Sequence, residues 1–248
     1  MFDVYCTQFG ATPNVYKVLV LLEELGLEHR IIPVDIRRGE QFRPEFLKIS
    51  PNNKVPVLID HAPADGGEPL AVFESGAILV YLADKQQRFI PPVSQPRARS
   101  EVLQWTFWQM AGFGPHWGQF AHYTMYAPEP MPYPTEKARR ELDRLFGVLD
   151  TRLEGREFIA QDQYSIADII SFASTMSYER FSPHIDQLFP NFWRWWNAIR
   201  ERPAVKRAFD QQAVRNDTGG KPYAEDPLAM KMIFQQTSRY LKGELPTA

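Results

Sequence analysis

The stretch Phe73–Leu82, FESGAILVYL, sets an acid and a hydroxyl before a run that is apolar except for Gly76. A run this apolar predicts a buried helix, and its polar start allows two interpretations. As a cap, Ser75 would accept an amide hydrogen bond from the first turn. As an anion site, Ser75 and the free N–H groups would hold a carboxylate while Glu74 contacts an ammonium group, which suits an amino-acid zwitterion.

The residues before this helix alternate strand and helix signals. The segment TPNVYKVLVLLEELG predicts a helix with Thr12 as N-cap, Pro13 at the first position and Gly26 at the end. Pro33 lacks an N–H for a ladder, so its strand is expected at a sheet edge. The order β-α-β-(α)-β-β-α predicts a small α/β domain over residues 1–87 with a βαβ unit. Its predicted strands are Phe2–Cys6, Arg30–Asp35, Pro56–Asp60 and Leu70–Phe73.

Beyond residue 87 the strand signals disappear. Residues 88–98, RFIPPVSQPRA, predict a proline-rich linker, and residues 99–213 an all-helical bundle domain. Gly112–Gly118, GFGPHWG, is expected to break or kink a helix. Residues 214–248 are an extension in which Pro227–Lys242 predicts an amphipathic helix. The remaining predicted helices are Glu101–Ala111, Thr135–Gly155, Ser165–Ser177, Pro190–Arg202 and Ala204–Ala213.

The composition of the 248 residues bounds the possible functions. A net charge of −2 gives no basic footprint for nucleic acid. No apolar run is long enough to span a membrane, and the N-terminus lacks a signal-peptide pattern, so the chain is expected in the cytoplasm. The single cysteine, Cys6, excludes an intramolecular disulfide and is expected to be a buried residue. The five histidines are too scattered to predict a metal site.

Two further motifs have a structural and a functional interpretation, and a third is structural. In SPNNKVPVL (Ser50–Leu58), statistics favour a trans Val55–Pro56 bond, while a cis bond would turn the Val55 backbone toward an extended peptide ligand. Thr12-Pro13-Asn14 is an ordinary helix start, or it stabilises an anion such as a thiolate. In YSIAD, the spacing of Ser165 and Asp168 resembles a capping box, so Asp168 is expected to be structural.

The order and spacing of these motifs carry more information than any one of them. The TPN helix start, SPNNKVP and FESGAILVYL, followed by a proline-rich linker and a helical half with YSIAD, resemble the cytosolic glutathione transferases. The wording is closest to the nu class, whose relatives include bacterial disulfide-bond reductases and a fungal nitrogen regulator. The similarity extends over residues 1 to about 213. It implies a thioredoxin-like first domain that binds glutathione, a co-substrate, without a metal.

The resemblance also assigns residues to the tripeptide. Val55, ahead of a cis Pro56, would pair with the cysteinyl backbone. Glu74 and Ser75 would hold the γ-glutamyl end, which favours docking in FESG. Thr12 and Asn14 would face the sulfur as catalytic residues. The implied glutathione-binding set is Gln41, Lys54, Val55, Pro56, Glu74 and Ser75, in which Gln41 reaches the glycyl end or a neighbouring backbone.

The implied chemistry starts from a glutathione thiolate. Hydrogen bonds and a helix N-terminus favour that anion, which would attack a disulfide, a peroxide or an electrophilic carbon. A non-catalytic glutathione-binding regulator and a glutathione-removing thioether lyase use the same pocket and stay open as alternatives. The resemblance further implies a homodimer and a small hydrophobic, disulfide or peroxide substrate. Candidates for that substrate's wall are Trp105, Trp108, Phe113, His116, Trp117 and Tyr123, with Lys137 as a possible basic residue.

Overall fold

A computed structural model describes residues 1–7, 12–211 and 226–246. By packing, the described chain divides into two compact units. The first comprises Met1–Ile78 with the described residues from Arg207 onward, and the second comprises Leu79–Lys206. The boundaries predicted at residues 87, 98 and 213 stay predictions, because packing groups the chain differently from composition.

The first unit is built on a four-stranded sheet in the order β2-β1-β3-β4. β1 pairs parallel with β2 and antiparallel with β3, and β3 pairs antiparallel with β4. The parallel pair confirms the predicted βαβ unit. β2, which contains Pro33, lies at the sheet edge as its missing N–H requires. The strands are β1 (Phe2–Thr7), β2 (His29–Val34), β3 (Val57–Asp60) and β4 (Leu70–Phe73).

Three helices accompany this sheet in sequence, α1 (Pro13–Leu25), α2 (Pro44–Ile49) and α3 (Ser75–Gln86). α1 begins after Thr12 and ends at Gly26, whose φ of 67° is the left-handed conformation that glycine adopts at low cost. Most of its apolar residues are buried, with Val18 and Leu22 at 0% exposure. Phe46 of α2 packs with residues from β2 and β3 in a core cluster on the sheet.

The C-terminal part of the chain returns to the first unit. The Phe209 ring stacks on Tyr16 of α1 with centroids 4.2 Å apart. α11 (Pro227–Phe234) follows, then a short 3-10 turn at Tyr240–Lys242. The predicted helix Pro227–Lys242 is therefore wrong in its second half. The Gln236 side chain donates through Nε2 to the Met232 carbonyl at 2.7 Å. In a continued α-helix that carbonyl would accept from the Gln236 backbone N–H instead.

The second unit is all-helical within its described residues. The interruption expected at Gly112–Gly118 takes the form of a π-helical turn at Gln109–Phe113, which lies between one α-helix and the next. Pro115 lies in the first turn after it and has no N–H to donate to a carbonyl of the π-helical turn. The helices are α4 (Pro96–Trp108), α5 (Gly114–Ala121), α6 (Pro132–Arg152), α7 (Ile166–Ser174), α8 (Ile185–Leu188), α9 (Pro190–Arg200) and α10 (Pro203–Asp210), and a second π-helical turn spans His122–Tyr126.

Asp168 holds the centre of the second unit together. It is 0% exposed and completes the predicted capping box with Ser165 at the start of α7. Its Oδ1 accepts from Ile159 N at 2.9 Å and from Trp195 Nε1 at 3.0 Å, and its Oδ2 accepts from Ser165 N at 3.0 Å. Burial raises the pKa of Asp168 to about 6 against these donors, which lower it. The expected structural role of Asp168 is confirmed.

Among the described residues, no helix combines the length and apolar character needed to cross a bilayer.

Candidate functional site

The sheet register brings the three motifs to one end of the first unit. Tyr5 of β1 pairs with Val57 of β3, and Val57 pairs with Phe73 of β4. The chain enters β3 directly from Val55–Pro56 and leaves β4 directly into Glu74. β1 leaves the sheet at this same end, toward Thr12. The two loops and the start of α1 that carry the candidate residues therefore extend from one row of the sheet.

The Val55–Pro56 peptide bond is cis, so the trans form favoured by statistics is wrong and the form implied by the resemblance is present. Within the described part of the chain, the Val55 N–H and C=O make no hydrogen bond. The preceding turn is fixed, because Ser50 Oγ donates to the Lys54 carbonyl at 2.9 Å. Val55 thus offers one donor and one acceptor, the pair that an extended peptide needs.

Glu74 and Ser75 form the junction between β4 and α3. α3 begins at Ser75, and the Glu74 carbonyl accepts from Ile78 N at 2.9 Å, so Glu74 rather than Ser75 occupies the capping position. Glu74 has a φ of 71°, which is uncommon outside glycine and points to a required side chain. Its carboxylate is exposed and accepts from Asn52 Nδ2 at 3.2 Å, while Ser75 is 4% exposed.

Lys17 is a candidate site residue that the sequence reasoning missed. It lies on α1, is 1% exposed, and has a pKa lowered to about 7 by burial. The negative charge of Glu74 opposes that lowering, so the Lys17 ammonium and the Glu74 carboxylate attract each other. A lone charged residue inside the apolar run VYKVLVLL was the signal that could have identified it.

Thr12 and Asn14 lie at the N-terminus of α1. Thr12 caps the helix weakly, since Val15 N reaches its Oγ1 at 3.4 Å, while the Thr12 carbonyl accepts from Tyr16 N at 3.0 Å. Asn14 is exposed, and its side-chain amide makes no hydrogen bond in the ranges described. Residues 8–11 of the segment CTQFGATPN lie outside the described residues. Both side chains retain donors for a ligand atom beside the positive end of the helix.

Gln41 and Lys54 contact the C-terminal part of the first unit. Gln41 is 1% exposed, and its Nε2 donates to the carbonyls of Ile36 at 3.0 Å and Met232 at 3.2 Å. Lys54 Nζ donates to Gln236 Oε1 at 2.7 Å. Loss of surrounding water lowers the pKa of Lys54. The Gln41 amide donor is thus engaged by backbone carbonyls, and its contact with the glycyl end of a ligand stays a prediction.

Cys6 does not belong to the reactive groups of this site. It is 0% exposed in β1, and burial raises the pKa of its thiol to about 11. A thiol in that state is almost entirely protonated at neutral pH and out of reach of a substrate. Within the ranges that the structure describes, no group of three or more His, Cys, Asp and Glu side chains is arranged to hold a metal ion.

The second unit divides the aromatic candidates between core and surface. Phe113 and Trp117 are buried at 1% and 8% exposure and pack on Phe146. His116 and Tyr123 instead line a cavity of about 1010 Å³ that Lys137 also borders. Phe113 and Trp117 are therefore core residues of the second unit, whereas Trp105, Trp108, His116 and Tyr123 are only partly buried.

Comparisons with known proteins identify the family of this arrangement. Residues 6–84 match the model of the glutathione S-transferase N-terminal domain, and residues 115–203 match that of the C-terminal domain. The chain belongs to the glutathione S-transferase family. The predicted thioredoxin-like domain and the all-helical domain are confirmed as the two parts of the glutathione S-transferase fold.

Three relatives within this family are informative. The disulfide-bond oxidoreductase YfcG of Escherichia coli is 46% identical over 84% of this chain and 94% of its own. A glutathione transferase family member from Pseudomonas fluorescens, solved with two glutathione molecules bound, is 39% identical with a TM-score of 0.77, over 84% and 92% of the chains. A Pseudomonas putida glutathione transferase with one glutathione disulfide per subunit is 36% identical with a TM-score of 0.76, over 85% and 91%.

Proposed function

We propose that this protein binds glutathione at the end of its sheet and uses the glutathione thiolate to reduce disulfide bonds. The register that lines up Tyr5, Val57 and Phe73 carries the proposal, because it brings a free backbone pair, an acid–hydroxyl junction and a helix N-terminus to one place. The names of YfcG and of the two glutathione-bound Pseudomonas structures support the same ligand and reaction.

The charges of the site match those of the tripeptide. Val55 pairs with the cysteinyl N–H and C=O. The γ-glutamyl ammonium meets the exposed Glu74 carboxylate, while its α-carboxylate meets Ser75 and the N–H groups of the first turn of α3. The glycyl carboxylate is the remaining charged group of glutathione, and Lys54 is the cation beside Val55. Every charged end of the ligand then has an opposite partner.

The sulfur chemistry requires only groups already described. Thr12 and Asn14 donate hydrogen bonds to the glutathione sulfur, and the α1 N-terminus adds a positive potential, so the thiolate is favoured. This thiolate attacks one sulfur of the substrate disulfide, which releases one thiol and forms a mixed disulfide. A second glutathione then attacks that mixed disulfide, so the products are two thiols and glutathione disulfide. Cys6 has no part in either exchange, because it is buried and protonated.

The test compares Thr12→Val, which removes the hydroxyl, with Thr12→Ser, which keeps it. Turnover of hydroxyethyl disulfide is measured with glutathione, and glutathione affinity by calorimetry. Each unit by which the bound thiol pKa rises lowers the thiolate population about tenfold at a pH below that pKa, so Thr12→Val is expected to lose turnover by roughly that factor with similar affinity. Equal turnover of the two variants would refute the role of Thr12. A wild type that binds no glutathione would refute the function itself.

The cytoplasmic location, the homodimer and the nu-class assignment belong to the same proposal. A sedimentation mass near twice the chain mass of 28.7 kDa is the expected result for the dimer.

A further inference from the structure

The C-terminal segment Asp226–Leu245, here called the strap, is anchored to the first unit at its beginning. Asp226 caps α11 by accepting from the N–H groups of Leu228 and Ala229, each at 3.1 Å. The same carboxylate lies 3.3 Å from Arg38 Nη2 in the loop that follows β2. One side chain therefore fixes both the start of the strap helix and its point of attachment.

A hydrophobic cluster buries the middle of the strap. Met232 and Tyr240 are 3% and 8% exposed and form a cluster with Phe42, whose ring meets Tyr240 edge to face at 5.3 Å. Gly39 permits this approach, because a Cβ there would lie 3.2 Å from Met232 Sδ and its φ is 81°. The strap is therefore packed into the unit as part of its core.

Two glutamine side chains connect the strap to the rest of the first unit: Gln41 contacts it from the segment after β2, and Gln236 contacts the turn with Asn53 and Lys54. Gln41 and Gln236 both donate to the Met232 carbonyl. With its Nε2 on that carbonyl, Gln236 turns its Oε1 toward Lys54 Nζ at 2.7 Å and Asn53 Nδ2 at 3.1 Å. In a flipped Gln236 amide, the oxygen would face the Met232 carbonyl and the NH2 group would face the donors of Lys54 and Asn53, so these contacts fix the amide orientation.

We propose that Gln236 is a positioning residue that orients the Lys54 ammonium toward the glycyl carboxylate of glutathione. This inference rests on the proposed function. An ammonium group carries three donors, and Gln236 takes one of them, which leaves the others for a carboxylate. A free lysine side chain loses rotamer freedom when it binds, and a lysine already held by Gln236 has less to lose. The strap therefore sets the affinity for ligands that carry the glycyl carboxylate.

The test uses two ligands that differ at one end, glutathione and γ-glutamylcysteine, which lacks the glycyl residue. Calorimetry measures both with the wild type, Gln236→Ala and Gln236→Glu. Gln236→Ala is expected to weaken glutathione binding roughly three- to tenfold, because Lys54 is then no longer held in place before the ligand binds. Gln236→Glu is expected to weaken it further, because a carboxylate pairs with Lys54 and repels the ligand. Binding of γ-glutamylcysteine is expected to change less than twofold in either variant.

The control variant is Gln235→Glu, the same charge change one residue earlier on an exposed side chain. It is expected to bind both ligands as the wild type does. Equal weakening of both ligands by the Gln236 variants would overturn the inference, since loss of strap structure does not distinguish the two ends of the tripeptide. Unchanged glutathione binding in both variants would overturn it as well, while leaving the proposed function intact. A wild type that binds neither ligand would overturn both.

Discussion

Asp168→Asn is the substitution whose effect can be worked out most fully from the contacts. The wild-type carboxylate accepts four hydrogen bonds in a fully buried position, two on each oxygen. Asparagine keeps one acceptor oxygen and replaces the other with an NH2 group. The remaining oxygen is expected on the Oδ1 side, because the N–H groups of Ile159 and Trp195 cannot become acceptors. The Ser165 hydroxyl can rotate to accept from the new NH2, but the Ser165 backbone N–H loses its partner.

The magnitude follows from that single orphaned donor and from the lost charge. A buried donor left unsatisfied costs about 1–3 kcal/mol, and the two retained bonds lose the extra strength of a charged acceptor. Asp168→Asn is therefore expected to lower the free energy of unfolding by about 2–4 kcal/mol. Asp168→Ala, which orphans every donor, is expected to cost more than Asp168→Asn.

Urea unfolding at pH 7.5, followed by tryptophan emission and circular dichroism, measures this difference. At that pH the wild-type carboxylate, with its pKa raised to about 6, is ionised. The matched control is Asp143→Asn on the exposed face of α6, which is expected to change stability by less than about 0.5 kcal/mol. If Asp168→Asn destabilises no more than Asp143→Asn, the reasoning about the buried acceptor is refuted.

Three further substitutions test other parts of the first unit. Lys17 has a folded pKa of about 7 against an ordinary value of 10.5, so between these values the unfolded chain binds more protons and stability rises with pH. In urea unfolding, the free energy of unfolding of the wild type should rise by about 2 kcal/mol relative to that of Lys17→Met from pH 7 to 9. Parallel pH curves for the two proteins would contradict this. Cys6 should resist iodoacetamide at pH 8 until urea is added, and Cys6→Ala should keep disulfide reduction; labelling of the folded protein would argue against the buried thiol. Gly39→Ala should lower the free energy of unfolding by about 1–3 kcal/mol and speed hydrogen exchange of the strap amides, since a left-handed φ and crowding at Met232 act together. The control is Gly26→Ala, where φ is also left-handed but the added Cβ has open space, so it measures the backbone cost alone. Equal losses of stability in the two variants would exclude a contribution from crowding.

Much of the fold was predictable from short-range signals. Pro33 predicted an edge strand because the missing N–H acts locally, and the TPN start with Gly26 fixed both ends of α1 for the same reason. The cis bond at Val55–Pro56 was not predictable from its own residues, since the preference for cis is set by the surrounding fold. Only the resemblance carried that information.

The error in the strap helix has its physical origin in a side chain that satisfies a backbone group. The strap helix ends early because Gln236 occupies the Met232 carbonyl with its side chain, an event that hydrophobic periodicity does not report. Near Gly112–Gly118 the α-helical pattern is interrupted by a π turn over Gln109–Phe113, which includes Gly112. In the candidate site, the FESG motif drew attention to Glu74 and Ser75 and the resemblance assigned them to glutathione, whereas Lys17 was hidden because its burial depends on the packing of α1.

Among the described residues there is no reactive protein thiol, and this determines how much activity a single substitution in the site removes. In the proposed reaction the bond-forming atom belongs to glutathione, and the protein supplies only hydrogen bonds, charge and orientation. Each of these contributions is partial, because several groups act on the same ligand: Lys17 acts on Glu74, and Gln236 acts on Lys54. Loss of one such group leaves the others in place, so its cost is a fraction of the total transition-state stabilisation. An enzyme that used Cys6 as nucleophile would instead fail completely on its removal.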